Sequence, residues 1–149
     1  MPQTPEKLKV LFLCTGNSCR SQMAEGWTRH LKSDAIDGYS AGVKARSLDH
    51  RTVQVMAEAG VDISGHRPKH VDELKGILFD YVITVCDHAS ETCPVFPGKT
   101  KRVHHNFDDP PRLAKEAKSE EDALAPYRRV RDEIKKYIEA LPEDLFNQG

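Results

Sequence analysis

Two reactive side chains, Cys14 and Arg20, stand one short loop apart, with Thr15, Gly16, Asn17, Ser18 and Cys19 between them and Ser21 after. A loop of this length, rich in small polar residues, can curl so that successive backbone N–H groups converge on one tetrahedral anion. Arg20 adds a planar, permanently charged fork that grips two oxygens at once, which a lysine cannot imitate. A cysteine at the base of such a ring of donors is expected to have its thiol pKa drawn from about 8.5 toward or below neutrality. The segment therefore predicts a thiolate nucleophile at Cys14. The plainer reading, a small buried residue that ends a strand, is the common fate of a free cysteine. The spacing to Arg20, together with the strand before and the helix after, argues against it. The ATP-binding P-loop is excluded, because no Gly-Lys-Ser/Thr follows.

Three further groups carry potential chemistry. Cys86 and Cys93 lie seven positions apart in the sequence. A helix between them would part their Cα atoms by about 10 Å, beyond the roughly 4.4 to 6.8 Å of a disulfide. Bonding them would require the polar segment Asp87 to Thr92, closed by Pro94, to loop out. A metal site with His88 lacks the paired spacings of zinc ligands, and two ordinary surface or core cysteines remain the blander alternative. Cys19 is expected to pack beneath the loop. Asp108 and Asp109 both qualify as a proton donor to a departing oxygen, although Asp108 alone reads as a solvated turn residue. The seven histidines are scattered, and adjacent His104 and His105 would point to opposite faces of a strand.

These groups need elements to position them. Leu8 to Leu13 is nearly continuous in apolar residues and predicts a strand buried on both faces. From Ser21 onward, Ala24, Trp27 and Leu31 recur at helical spacing, so strand, loop and helix follow directly. Gly38 to Gly42 reads as a short strand, and Asp49 as the cap of a helix carrying Val53, Met56 and Ala57 that Gly60 closes. Leu78 to Val85 predicts a strand running into Cys86, and Lys101 to His105 a fourth. Pro110 to Glu121 reads as a mobile surface loop. A last helix carries Leu124, Tyr127, Val130, Ile134, Ile138 and Leu141, with Pro126 tolerable only near its start. The charges from Arg128 to Lys136 read as a solvated helix face. Alternating strands and helices predict an open parallel α/β sheet with ligands beyond the carboxyl ends of its strands, where Cys14, Cys86 and Asp108/Asp109 all fall.

The whole chain sets the remaining bounds. Its 149 residues suit one domain, 1–149, with 38% apolar and 30% charged residues, the balance of a soluble globular protein. A formal charge of −1 gives no reason to expect nucleic acid or an anionic membrane as partner. The apolar runs are too short to span a bilayer, and the start of the chain lacks the pattern of a secretory signal. A cytoplasmic location is expected, in which the four cysteines rest as thiols.

Cysteine, five residues and arginine after a first strand resemble the low-molecular-weight protein tyrosine phosphatase superfamily. The longer string Cys-Thr-Gly-Asn-Ser-Cys-Arg-Ser-Gln-Met-Ala-Glu-Gly-Trp at 14 to 27 resembles the thioredoxin-coupled arsenate reductases that share its fold. The likeness continues through Tyr39 to Gly42, Val61 to Ser64, Val82 to Cys86, Cys93-Pro94, Phe107 to Pro110 and Arg129 to Ile134. It implies an open three-layer α/β sandwich on a four-stranded parallel sheet. It also implies that Thr15, Gly16, Asn17, Ser18, Cys19, Arg20 and Ser21 bind arsenate, that Cys14 is the nucleophile, and that Asp109 is the acid. By the same resemblance Cys86 and Cys93 are additional redox cysteines, so that a disulfide passes from Cys14 to Cys86 to Cys93 and is reduced by thioredoxin. The implied enzyme is a monomer serving arsenic detoxification without metal or organic cofactor. A tyrosine phosphatase needs only Cys14, Arg20 and Asp109, but Pro111 stands where phosphatases place an aromatic. A thiol-based redox sensor would need neither Arg20 nor the loop. Some family members hold potassium near residues matching Asn17, Glu25 and Ser40. Here Arg67 and Lys69 replace the remaining oxygen ligands, and no metal is expected.

Overall fold

The computed structural model describes residues 7–44, 46–87, 89, 93, 96 and 98–146. Its first strand, β1 (Leu8–Cys14), holds Val10, Leu11, Phe12 and Leu13 at 0% exposure, so both faces are covered as a continuous apolar run requires. On one side it pairs in parallel with β2 (Ile36–Gly42), bringing Cys14 opposite Gly42. On the other it pairs with β3 (Tyr81–Thr84), which pairs with β4 (Lys101–His104), giving the order β2-β1-β3-β4 with every pairing parallel. The chain leaves β1 to one side and returns to the other. That reversal opens a crevice at the carboxyl ends of β1 and β3.

Helix α1 (Arg20–Leu31) starts at the last residue of the anion loop and packs on β1 and β2. Helix α2 (His50–Glu58) is capped as expected, Asp49 accepting from the Arg51 N–H at 2.9 Å, and Gly60 at φ +85° closes it. A 3₁₀ turn, Val71–Leu74, precedes β3. Beyond β4 come a short helix α3 (Pro110–Leu113), the long helix α4 (Glu120–Glu139) and a final turn of helix α5 (Glu143–Phe146). Helix α4 packs against both α1 and α2, completing the three-layer α/β arrangement. Among the described residues no helix is long and apolar enough to cross a membrane.

Four local expectations change. The strand expected over Leu78 to Val85 is shorter, because the Asp80 carboxylate takes the Lys9 N–H at 2.8 Å and leaves Leu78 outside the sheet, 68% exposed. The segment Pro110 to Glu121 is not an irregular loop: α3 leads into a 3₁₀ turn, Ala114–Glu116, and Pro110 and Ala114 are buried. Proline at the first helical position needs no N–H partner, which is why the Asp-Pro pair starts a helix here. Pro126 stands in the second turn of α4, where it removes the bond to the Asp122 carbonyl. The charged run on α4 is also more than a solvated face. Arg128 grips Glu58 with two nitrogens at 2.9 and 2.8 Å, and Arg131 donates to the Val55 carbonyl at 2.8 Å, tying α4 to the end of α2.

Gly42 marks the tightest passage. A Cβ there would lie 2.7 Å from the Thr15 carbonyl oxygen and 2.8 Å from the Asn17 nitrogen, so β2 can run beside the loop only without a side chain. Gly42→Ala is expected to displace the loop backbone and to cost about 1–3 kcal/mol, read as a lower urea midpoint with unchanged m-value.

Candidate active site

The residues after β1 turn around the crevice with their carbonyls held outward. The Cys14 carbonyl accepts from Val43 N–H, Thr15 from Lys44, Gly16 from Arg46 and Ser18 from Asp49, all at 2.8–3.1 Å. A trans peptide points its N–H opposite its C=O, so the N–H groups of Thr15, Gly16, Asn17 and Cys19 face inward. Asn17 adopts φ +53°, a left-handed turn that asparagine tolerates better than most residues, and its N–H lies 3.3 Å from Cys14 Sγ. The first N–H groups of α1, which have no partner within the helix, add to the same field.

Cys14 is buried at 3% exposure, its Sγ 2.8 Å from Ser21 Oγ. Asn17 Nδ2 donates to the same hydroxyl at 2.8 Å. Asn17 and Ser21 are thus fully buried and turn their side chains to Cys14 and the loop's own frame, while Thr15, Gly16, Ser18 and Arg20 line the open side. The thiol differs from the expectation in one respect. Burial pushes the Cys14 pKa up, and the hydrogen bonds from Ser21 and Asn17 pull it down without cancelling that effect. Desolvation of the charged form outweighs the donors that the sequence makes visible. Cys19 packs beneath the loop, and burial raises its pKa well above the ordinary range.

Arg20 Nη1 donates to the Phe107 carbonyl at 2.8 Å and Nη2 lies 3.8 Å from the Asp109 carboxylate. Phe107 packs against the contacting rings of His105 and Tyr137, with centroids 4.7 and 5.8 Å away, so the aromatic cluster fixes the carbonyl that orients the guanidinium. The two aspartates part company. Asp108 is taken by Arg129 of α4 at 3.0 Å, whereas Asp109 and Arg20 together line a hollow of about 430 Å³ with Thr15, Cys86, Phe107 and Arg112. A second hollow of about 600 Å³ continues past Gly16 to Arg46, His50 and Pro111.

Cys86, also at 3% exposure, lies in the wall of the first hollow, its Sγ 3.3 Å from Thr15 Oγ1 and 3.4 Å from the Ala89 nitrogen. Parallel pairing of β1 and β3 brings it to the edge where Cys14 stands. Cys93 is half-buried, and all four cysteines are reduced. His88, residues 90–92 and Pro94, which belong to the segment expected to loop out, lie outside the described residues.

Behind the loop, α1 buries polar side chains. Gln22 donates to both oxygens of Asn17, at 3.2 Å to the carbonyl and 3.1 Å to Oδ1, and Glu25 accepts from the Ser40 hydroxyl at 2.6 Å. Lys69 gives its N–H to Asn17 Oδ1 at 3.0 Å and its ammonium to the carbonyls of Ser40 and Arg67 at 3.0 and 3.1 Å. The lysine puts its own charge among the oxygens that a potassium ion would need, and an inorganic cation does not fit beside it. Among the described residues no group of three His, Cys, Asp or Glu is placed to hold a metal. Sequence reading missed four supports of the site: Gly42, Lys69, Arg46 against Gly16, and Tyr127, whose hydroxyl donates to Asp49 at 2.6 Å. Only Gly42 left a signal, a strand ending in a residue without a side chain.

Since Ser21 lowers a thiol pKa that burial has raised, Ser21→Ala is expected to move it further up, by about one pH unit for a lost hydrogen bond. A thiol reacts as its thiolate, so alkylation of Cys14 should rise with pH and its profile should shift to higher pH in the variant. Iodoacetamide labelling resolved by peptide mass spectrometry checks this.

Similarity to known proteins runs through the same segments. The family described as low molecular weight phosphotyrosine protein phosphatase matches residues 9–148. An arsenate reductase of Halalkalibacterium halodurans is 45% identical over 137 residues, covering 92% of this chain and 96% of that protein. A solved structure described as an arsenate reductase in the phosphate binding state superposes with a TM-score of 0.69 at 29% identity, over 90% of this chain and 95% of that one. The arginine phosphatase YwlE from Geobacillus stearothermophilus superposes at 0.70 with 25% identity, over 95% and 94% of the two chains. Loop, sheet order and family match coincide, and the chain belongs to the low molecular weight phosphotyrosine protein phosphatase family.

Proposed function

We propose that this chain is a thioredoxin-recycled arsenate reductase, a cytoplasmic, monomeric enzyme of arsenic detoxification. The observation that carries the reading is a second thiol, Cys86, in the wall of the anion site and 3.3 Å from Thr15 Oγ1. A phosphatase needs Cys14, Arg20 and Asp109 and has no use for another sulfur there. The high identity to a protein named arsenate reductase supports the same substrate.

In this mechanism arsenate binds the inward N–H groups of residues 15–20, and Arg20 turns its fork from the Phe107 carbonyl to two arsenate oxygens. The Cys14 thiolate attacks arsenic, forming an S–As bond, while Asp109 gives a proton to the hydroxyl that leaves as water. Cys86 then attacks the Cys14 sulfur. An S–S bond forms, the S–As bond breaks, and its electron pair stays on arsenic, which leaves as arsenite. Cys93 next attacks Cys86 and frees Cys14 as a thiolate. The resulting disulfide between Cys86 and Cys93 is reduced by the dithiol of thioredoxin. The thiols supply both electrons, and no organic cofactor is needed.

Two sets of variants test this. Arg20→Lys should lower kcat on arsenate by about a hundredfold while leaving the circular dichroism spectrum unchanged, since one ammonium cannot replace the fork. Cys93→Ser should release about one arsenite per enzyme and then stop with a disulfide between Cys14 and Cys86, whereas Cys86→Ser should release almost none without an external thiol. Both should retain any hydrolysis of an aryl phosphate, which ends at Cys14 and water. Steady turnover of the Cys93→Ser protein with thioredoxin would overturn the relay.

A further inference from the structure

The face of β4 beside the redox cysteines is built from two side chains that the mechanism above leaves unused. Arg102 and His104 are alternate residues of one strand and so share a face. His104 reaches in two directions: Nδ1 is 2.7 Å from Thr84 Oγ1 and Nε2 is 2.9 Å from the Asp87 carboxylate. Thr84 and Asp87 flank Cys86 in the chain, so this bridge fixes the backbone on both sides of that thiol. Beside the bridge lies a hollow of about 240 Å³ lined by Thr84, Cys93, Arg102, Val103 and His104. Arg102 and Cys93 thus share one hollow, where the guanidinium charge favours the thiolate.

We infer that Arg102 is a positioning residue of the relay, the cation beside Cys93 that favours the thiolate of that residue in its attack on Cys86. The inference rests on the reductase reading given above. Its chemistry is one exchange: a bond forms between Cys93 and Cys86, the bond between Cys86 and Cys14 breaks, and Cys14 departs as a thiolate. The Cys93 proton goes to solvent, and there is no net oxidation in the step.

The need for such a cation follows from the surroundings. Burial pushes the Cys93 thiol up, and the charge and hydrogen bond of Arg102 draw it back toward its ordinary value. Among the described residues, the charged or titratable groups facing this corner are Arg102 and His104 from β4 and Asp87 from the segment after β3. Only the guanidinium stays positive at every working pH. Each unit of upward movement in a thiol pKa costs about tenfold in thiolate at neutral pH and returns about threefold in nucleophilicity, leaving a net loss of about threefold.

The test compares the parent protein with Arg102→Gln and Arg102→Lys. Site-resolved iodoacetamide alkylation across pH should show the Cys93 profile moved up by about one pH unit in Arg102→Gln and largely restored in Arg102→Lys. After one equivalent of arsenate, quenched samples mapped for disulfides should show the Cys14-Cys86 bond accumulating in Arg102→Gln. Conversion to the Cys86-Cys93 bond should be about threefold slower at neutral pH and near the parent's rate in alkali. An unchanged Cys93 profile in Arg102→Gln would overturn the role of Arg102 even if the relay runs. A parent protein that never forms the Cys86-Cys93 bond would instead overturn the relay, and with it this role, whatever the alkylation profile.

Discussion

The site depends on which way four peptide units face. Val43, Lys44, Arg46 and Asp49 act as an extra pairing partner, donating to the carbonyls of Cys14, Thr15, Gly16 and Ser18 and thereby turning the opposite ends of the same peptides inward. No side chain in the loop could create that field by itself. The arrangement holds because Gly42 lets β2 approach within van der Waals contact of the loop, and because Asp49 ties the Ser18 carbonyl to the start of α2. Tyr127, from the far helix α4, then fixes Asp49 through its carboxylate. Distant parts of the chain converge on one ring of donors.

This constraint explains an oddity of α1. A helix packed on a sheet ordinarily buries apolar side chains, yet Ser21, Gln22, Glu25 and Thr28 are all buried here. Burying polar groups is costly unless each is bonded. Three of them belong to a network that runs from Ser21 and Gln22 through Asn17 to Lys69, Ser40 and Glu25, and Thr28 bonds the Ala24 carbonyl. The network holds Asn17 in its left-handed conformation and presents a hydroxyl to Cys14. The same burial that rigidifies the loop also raises the Cys14 pKa, so order and reactivity are in tension at one atom.

In the proposed reaction Cys14, Arg20 and Asp109 form one half of the arrangement, the half that chemistry ending at Cys14 would need. The other half is assembled by β3 and β4, which carry Cys86 into the wall of the hollow and place Arg102 in one hollow with Cys93. In the proposed reaction the parallel sheet therefore does more than hold a pocket. Its strand order puts the attacking and receiving sulfurs along one edge, and its outer strand supplies a charge to the last of them.

The sequence by itself determined the local pieces: a strand buried on both faces, a loop from Cys14 to Arg20, a helix behind it, and an aspartate cap at Asp49. Each follows from short-range periodicity or from the stereochemistry of neighbouring residues, and each stands where it was expected. The choice between Asp108 and Asp109 needed the family likeness in sequence. In the fold the two differ in partner, since Arg129 engages Asp108 and Arg20 lies beside Asp109. What only the tertiary structure decided involves pairs far apart in the chain. Gly42 lies against Thr15, Lys69 bonds Asn17 and Ser40, Tyr127 bonds Asp49, and Arg102 shares a hollow with Cys93. The direction of the Cys14 pKa belongs to the same class. Donors can be counted along a sequence, but desolvation depends on everything that the fold packs around the sulfur.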